Sequence, residues 1–146
     1  VAVGLIGKDA NGVALLEKLQ SSKVNCDYIV TSEKFQTITK VRVLAGHHYG
    51  MRQQVIRIDY ENKTRVDDEI RAQLKQNLVS ACEKAAAIIV SDYSLNPDFG
   101  VVNDETARLA LQIAQEKEIP IVIDSRFHLQ KFRGATSATP NQDEVE

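Results

Sequence analysis

The sequence predicts an α/β fold built on a mostly parallel β-sheet. Three short apolar runs, residues 1–6, 85–90 and 119–123, are nearly continuous rather than alternating. Such runs are typical of parallel strands that are buried on both faces of a sheet. Helical patterns lie between the runs, and strands that alternate with helices indicate a parallel sheet with right-handed crossovers.

Three segments have the apolar periodicity of amphipathic helices. They are residues 12–20, 67–84 and 103–117. In each, apolar side chains recur at intervals of three and four, which places them on one face of a helix. We expect Arg71 to point away from the apolar stripe of the second segment. Asn103 or Asp104 is expected to cap the start of the third.

One stretch has a different pattern. Residues 37–45 and 53–60 alternate between polar and apolar side chains, and a loop from Gly46 to Gly50 separates them. This pattern predicts an antiparallel β-hairpin with one polar face. Because a two-stranded hairpin is only marginally stable by itself, we interpret residues 37–60 as an excursion from the main sheet, either a lid or a flap that forms a dimer.

Composition excludes several classes of function. The 146 residues are enough for one domain with a real core. A net charge of −2 with interspersed signs gives no basic surface for nucleic acid or a membrane. No apolar run is long enough to span a bilayer, and no secretory signal opens the chain, so a cytoplasmic protein is expected. The isolated Cys26 and Cys82 are expected to be reduced thiols.

Polar side chains follow three predicted strands. They are Asp92 and Tyr93, then Asp124 and Arg126, then Asn141 with Glu144 three residues later, after a short strand at 136–139. Open α/β sheets bind ligands at the carboxyl ends of their strands. Carboxylate and amide oxygens gathered there suit a magnesium–phosphate group. Each residue alone is equally well explained as a turn cap, so the set favours a ligand site more than any single member does.

Two further features have competing interpretations. The spacing of Gly7 and Gly12 does not fit the G-x-G-x-x-G pattern of dinucleotide sites, so we expect Gly7 to permit a sharp turn and Gly12 to permit close helix packing. Lys40 and Arg42 share one face of a strand, and Arg57 is expected across the hairpin. This face is either simply solvated or binds the phosphate of a sugar phosphate.

Short motifs along the whole chain resemble those of PfkB/ribokinase-family sugar kinases. In chain order they are GLIGKDANG, VNCDYIV, TITKVRVLA, QQVIRIDYE, IIVSDYS, PIVIDSR and FRGATSATPNQDEVE. The hairpin motif, S-D-Y and the final motif are the most specific, and they resemble the family's heptose 7-phosphate kinases of ADP-heptose synthesis. The resemblance implies a ribokinase-like three-layer α/β/α sandwich, with residues 37–60 in a small β-hairpin lid.

The resemblance also implies a nucleotide site that uses ATP and Mg²⁺ as cofactors. Asn141 and Glu144 match the family's N-x-x-E, which contacts the ATP phosphates and orders Mg²⁺ through water. Gln142 and Asp143 lie between them in the same nucleotide-binding turn. Glu144 is therefore the implied metal-ordering residue.

The implied substrate residues lie elsewhere. Lys40 and Arg42 match hairpin positions near the sugar phosphate, and Asp92 and Tyr93 match the S-D-Y at the edge of the active cleft. Arg126 ends a D-S-R where the heptose kinases usually have D-P-K. It keeps a positive charge but changes its geometry, which leaves the exact sugar open.

We expect residues 1–146 to be the central part of a longer kinase. The chain has no initiator Met and stops as a helix begins. The family's G-A-G-D segment, which supplies the catalytic base, does not occur in it, so we expect no catalytic residue and no activity from these residues alone. The parent is expected to phosphorylate a sugar, most closely heptose 7-phosphate. Another PfkB sugar or nucleoside kinase, and a non-catalytic nucleotide- or sugar-phosphate-binding module, remain alternatives. Exposed strand edges predict a homodimer.

Overall fold

The computed structural model describes residues 1–46, 51–63 and 65–142. The strands are β1 Val3–Gly7, β2 Tyr28–Ser32, β3 Thr39–Ala45, β4 Gln53–Tyr60, β5 Ile88–Asp92, β6 Ile121–Ser125 and β7 Ser137–Ala138. The α-helices are α1 Ala10–Ser21, α2 Asp68–Cys82 and α3 Asp104–Glu116, and short 3₁₀ helices lie at Pro97–Phe99 and Leu129–Phe132.

The sheet topology confirms the predicted α/β class. Strand β1 pairs in parallel with β2, and β5, β6 and β7 form a parallel sheet in that order. Strands β3 and β4 form the predicted antiparallel hairpin. Within the described residues the parallel strands are thus divided between a pair and a triplet, which leaves one edge of β1 and one edge of β5 unpaired.

Helices α1 and α3 begin at residues whose side chains cap them. Asp9 caps α1 by accepting a hydrogen bond from the Gly12 amide. Asn103 caps α3 in a capping box, since its side chain accepts from the Thr106 amide while the Thr106 hydroxyl accepts from the Asn103 amide. Of the two predicted caps for this helix, Asn103 is therefore the one used.

The expectation for Arg71 is wrong. Its side chain is buried, and its guanidinium donates to the carbonyls of Val66 and Asp98 at 3.1 and 3.0 Å. A second bond reaches the Asp98 carboxylate at 3.2 Å. The periodicity of α2 does not reveal this arrangement, because Asp98 belongs to a short 3₁₀ helix 27 residues further along the chain. The buried charge is tolerated because its N–H groups have partners.

The core consists of two apolar clusters. One lies between α3 and the β5–β6–β7 sheet and includes Ile88, Ala110 and Ile123, the last fully buried. The other lies beneath β1 and β2 and includes Leu5 and Leu74. An apolar cavity of about 500 Å³ separates the unpaired edges of β1 and β5.

Among the described residues, no helix is both long and apolar enough to cross a bilayer.

Candidate functional site

Parallel pairing brings polar residues together at the carboxyl ends of β5 and β6. The register pairs Asp92 with Ser125, the last residue of each strand. The Ser125 hydroxyl donates to Asp92 Oδ2 at 3.0 Å, and the Ser94 amide donates to Asp92 Oδ1 at 3.3 Å. Asp92 and Ser125 are each only 2% exposed. The buried Asp92 carboxylate therefore links the ends of β5 and β6 and does not face solvent.

Ser125 stands where the resemblance to the heptose kinases implies the proline of D-P-K. Its hydroxyl also accepts a hydrogen bond from the His128 amide at 3.2 Å. Serine thus links Asp92 to the turn that follows β6, which the side chain of a proline cannot do because it has no hydroxyl. The departure changes the bonding at this edge as well as the charge geometry at position 126.

Two other predicted site residues flank this buried pair and are exposed. The Tyr93 hydroxyl donates to Asp124 Oδ2 at 2.7 Å, which connects the ends of β5 and β6 on the surface. Arg126 follows directly, and its amide donates to the Asp92 carbonyl at 2.9 Å. The structure therefore brings Asp92, Tyr93 and Arg126 to one sheet edge, as the strand-end pattern predicted.

The third strand end lies beside the other two. The Thr139 amide donates to the Ile123 carbonyl at 2.9 Å, which extends the pairing of β7 along β6. Asn141 and Gln142 follow and are exposed, and their side-chain N–H groups can donate to a phosphate. The predicted roles of Asp143 and Glu144 lie outside the described residues. Within the described ranges, no group of three or more His, Cys, Asp or Glu side chains is arranged to hold a metal.

The polar face of the hairpin is mixed in charge. The register places Lys40 opposite Asp59 and Arg42 opposite Arg57. Lys40 Nζ lies 3.3 Å from Asp59 and 3.4 Å from Glu61, and Arg57 Nε lies 3.0 Å from Asp59. Partial burial acts to raise the pKa of Asp59, but hydrogen bonds from Arg57 and Lys40 lower it below its ordinary value. Lys40 is therefore already neutralised.

Arg42 is the cation on this face that no carboxylate neutralises within the described residues. It is exposed, and its cross-strand neighbour Arg57 carries the same charge. Like charges directly opposite each other weaken a strand pair. Asp59 already offsets part of that repulsion through its ion pair with Arg57. Arg42 is therefore the residue on this face that best suits a phosphate.

The sequence did not identify the residues that attach the hairpin to the β1–α1 turn. Asp9 Oδ2 accepts from the Thr37 amide at 2.8 Å, and the Thr37 hydroxyl accepts from the Gly7 amide at 2.9 Å. A side chain on Gly7 would overlap the backbone of Phe35 and Thr37, and one on Gly12 would overlap the Gly7 carbonyl. Close packing, which was predicted for Gly12, is thus supported, and close approach of the hairpin base rather than a sharp turn is the reason for Gly7.

The apolar cavity between β1 and β5 does not resemble a nucleotide site. Its lining is mainly aliphatic, with Leu5, Leu74, Ile88 and Ala107 among the contributors. Phosphate binding favours cationic side chains, and the lining of this cavity contains no Lys, Arg or His. The polar residues at the strand ends and on the hairpin are the better candidate site.

Comparison of this chain with protein families, with curated relatives and with solved structures agrees with the fold. The family model described as pfkB family carbohydrate kinase matches residues 1–146. A bifunctional protein HldE of Gluconobacter oxydans is 34% identical over 146 residues, covering 99% of this chain and 29% of that protein. Its counterpart in Haemophilus influenzae is 36% identical, covering 99% and 28%. The chain thus spans less than a third of the length of these relatives.

Solved structures with low identity share the fold. A 2-dehydro-3-deoxygluconokinase from Thermotoga maritima aligns with a TM-score of 0.71 at 14% identity, covering 99% of this chain and 45% of that one. Arabidopsis thaliana ribokinase, complexed with ribose and ATP, aligns with a TM-score of 0.59 at 15% identity, covering 98% and 43%. These neighbours confirm the ribokinase-like architecture.

Proposed function

The chain belongs to the pfkB family of carbohydrate kinases, and from this premise we propose that it is the middle part of an ATP-dependent sugar kinase. The proposed substrate is heptose 7-phosphate, and the product is heptose 1,7-bisphosphate for ADP-heptose and lipopolysaccharide core synthesis. The observation that carries the proposal is the 33–36% identity to bifunctional HldE proteins over nearly the whole chain.

The exposed Arg42–Arg57 pair supports a substrate that already carries a phosphate. A hairpin face over a neutral sugar has no need for two opposed guanidinium groups, since their repulsion weakens the strand pair. With the phosphate bound, Arg42 holds its oxygens and keeps the sugar beneath the hairpin, and Arg57 reaches the phosphate by giving up its contact with Asp59. Lys40 and Arg57 share the Asp59 carboxylate, and Lys40 also pairs with Glu61, so Lys40 has the supporting role of balancing charge beside the phosphate.

The exposed amides of Asn141 and Gln142 fit the phosphates of ATP. With Asp143 and Glu144, they are the residues that we propose would bind the nucleotide, and Glu144 would be the residue that holds the magnesium ion. Bound magnesium–ATP supplies the phosphoryl group and neutralises its charge. Asp92 and Ser125 keep the ends of β5 and β6 in register, which fixes the edge on which Tyr93 and Arg126 meet the substrate.

The transfer step needs a residue beyond residues 1–146. The sugar hydroxyl oxygen attacks the γ-phosphorus, its proton passes to a general base, and ADP leaves. The family's G-A-G-D aspartate is the proposed base. We therefore propose that residues 1–146 alone do not catalyse the reaction.

A homodimer is proposed through the apolar face of the hairpin. Pairing register places Val41, Val43, Ile56 and Ile58 on the face opposite Arg42, and each is about two-fifths to one-half exposed. A second copy of the hairpin is the occupant that matches this face in size and polarity, because each copy offers the same apolar stripe.

The proposal is tested by ADP release from the longer protein that contains this chain. Heptose 7-phosphate, unphosphorylated heptose and fructose 6-phosphate are offered separately with ATP and magnesium. We expect turnover with heptose 7-phosphate and at least about a tenfold lower kcat/KM with unphosphorylated heptose, because the phosphate contacts are lost. Equal or better turnover of another sugar would favour a different pfkB activity. No turnover of any sugar, with ATP binding retained, would favour the non-catalytic module.

A further inference from the structure

The hairpin does not rest on the body of the protein. Apart from the half-buried Thr39, each residue of β3 and β4 is exposed. Packing therefore contributes little to its position, and a free two-stranded hairpin is marginally stable at best. Whatever fixes the hairpin relative to the strand ends must act at its base, where residues 33–38 and 61–63 connect it to the rest of the chain.

One carboxylate joins the hairpin base to the β1–α1 turn. Asp9 Oδ1 accepts from the Gly12 amide at 2.8 Å, which caps α1, and Oδ2 accepts from the Thr37 amide at 2.8 Å. In the other direction, the Gly7 amide at the end of β1 donates to the Thr37 hydroxyl at 2.9 Å. Thr37 is only 6% exposed, so water competes little for these bonds.

Two further side-chain contacts complete the base. Asn11 Nδ2 donates to the Thr39 hydroxyl at 2.9 Å, at the first residue of β3. Asn62 bonds both backbone groups of Gln36, accepting from its N–H at 2.9 Å and donating to its carbonyl at 2.7 Å. Asn62 thus holds the entering and leaving segments together, while Asp9 holds both against the end of β1.

We infer that Asp9 and Thr37 are positioning residues, which hold the base of the hairpin at the carboxyl end of β1 by a tie in which the Thr37 amide donates to Asp9 and the Gly7 amide donates to the Thr37 hydroxyl. Asp9 contributes both as the α1 cap and as the anchor of the hairpin. Of these two tasks, only the second sets where Arg42 and Arg57 lie. The link from hairpin position to sugar binding rests on the proposed function, whereas the tie itself does not.

Substitutions separate the two tasks of Asp9. Asp9→Ser keeps a good helix cap, but a single short hydroxyl cannot also reach the Thr37 amide. Thr37→Val removes the hydroxyl that accepts from Gly7 at nearly constant shape, and Thr37→Ser restores it. Asn103→Ser alters the cap of α3, which does not contact the hairpin, and is the matched control.

Amide hydrogen exchange, followed by NMR, measures how often the hairpin opens in each variant. We expect Asp9→Ser and Thr37→Val to speed exchange in β3 and β4 by about tenfold, the effect of one lost charge-assisted or buried hydrogen bond. Exchange in β5 and β6 should be unchanged. Thr37→Ser and Asn103→Ser should leave the hairpin at its original rate.

Unchanged hairpin exchange in both Asp9→Ser and Thr37→Val would overturn the inference, and so would a uniform rise across all strands, which indicates a loss of global stability. In the longer protein, the tie predicts a raised KM for the sugar phosphate with an unchanged KM for ATP. Faster hairpin exchange with both KM values unchanged would support the tie and instead contradict the proposed role of the hairpin in sugar binding.

Discussion

Replacing Arg42 with Gln distinguishes an anion-binding hairpin face from a merely solvated one. Arg42 is exposed, lies opposite Arg57, and has no ion pair with any residue in the described ranges. The substitution removes one of two opposed positive charges and leaves the neighbouring Lys40–Asp59 pair in place. Its effects on stability and on substrate affinity are therefore expected to differ in sign.

The magnitudes follow from the register and from the lost contact. Relief of a like-charge cross-strand pair contributes roughly 0.2–1 kcal/mol, so the free energy of unfolding should stay constant or rise by at most about 1 kcal/mol. A charged hydrogen bond to a phosphate contributes about 1.5–3 kcal/mol. Its loss should raise the KM for the sugar phosphate by about 10- to 150-fold.

Urea unfolding measures the first effect, and initial rates of the longer protein measure the second. Arg108→Gln is the matched control, because Arg108 is an exposed arginine on α3 that bonds the Asp104 carbonyl and does not contact the hairpin. Its KM should be unchanged. The reasoning is refuted if Arg42→Gln leaves the KM for the sugar phosphate within about twofold of its original value. Equal increases in both variants would indicate a general charge effect.

Three other predictions concern the metal, the dimer and pH. Glu144→Gln in the longer protein should lower kcat by about 10- to 1000-fold with little change in melting temperature, and added magnesium should partly restore it; equal kcat values at every magnesium level would favour a simple helix cap. The chain should form a dimer at micromolar concentration in light scattering, and Ile56→Glu should make it monomeric; a monomeric unsubstituted chain would contradict the proposed interface. Hydrogen bonds from the Thr37 and Gly12 amides lower the pKa of Asp9 below its ordinary 3.8. The ionised Asp9 carboxylate therefore stabilises the fold above pH 3.8, and this contribution is lost as the pH falls through the lower pKa of the folded state. The difference in urea midpoint between the original chain and Asp9→Ser should therefore become smaller in acid. A difference that does not change with pH would argue against the tie.

The parallel strands β1, β5 and β6 were predictable from apolar runs, but their ends were not. The apolar run at 85–90 predicted a strand that the structure places at Ile88–Asp92. Pairing continues past the apolar residues, because Ser91 and Asp92 pair with Asp124 and Ser125 through backbone groups that do not depend on side-chain polarity. Hydrophobic patterns mark the buried part of a strand and miss such polar ends.

Contacts between distant segments account for most of what the sequence missed. Strand β2 has a short apolar centre at Ile29 and Val30 and was not predicted as an element. Arg71 was expected to face solvent because it lies off the apolar stripe of its helix. Its partner Asp98 lies 27 residues away, so local periodicity could not reveal the contact. Asp9 gave a local signal as a helix cap, but its bond to Thr37 spans 28 residues and leaves no trace in local spacing. The strand-end site was predictable because parallel strands bring their carboxyl ends to one edge.

Phosphorus NMR of the longer protein with ATP, magnesium and heptose 7-phosphate tests the proposed kinase activity directly. If that activity is correct, the γ-phosphoryl signal of ATP declines as a second sugar phosphomonoester appears in equal amount. A preparation limited to residues 1–146 should produce neither change. Release of inorganic phosphate without a new sugar phosphate, or transfer by residues 1–146 alone, would contradict it.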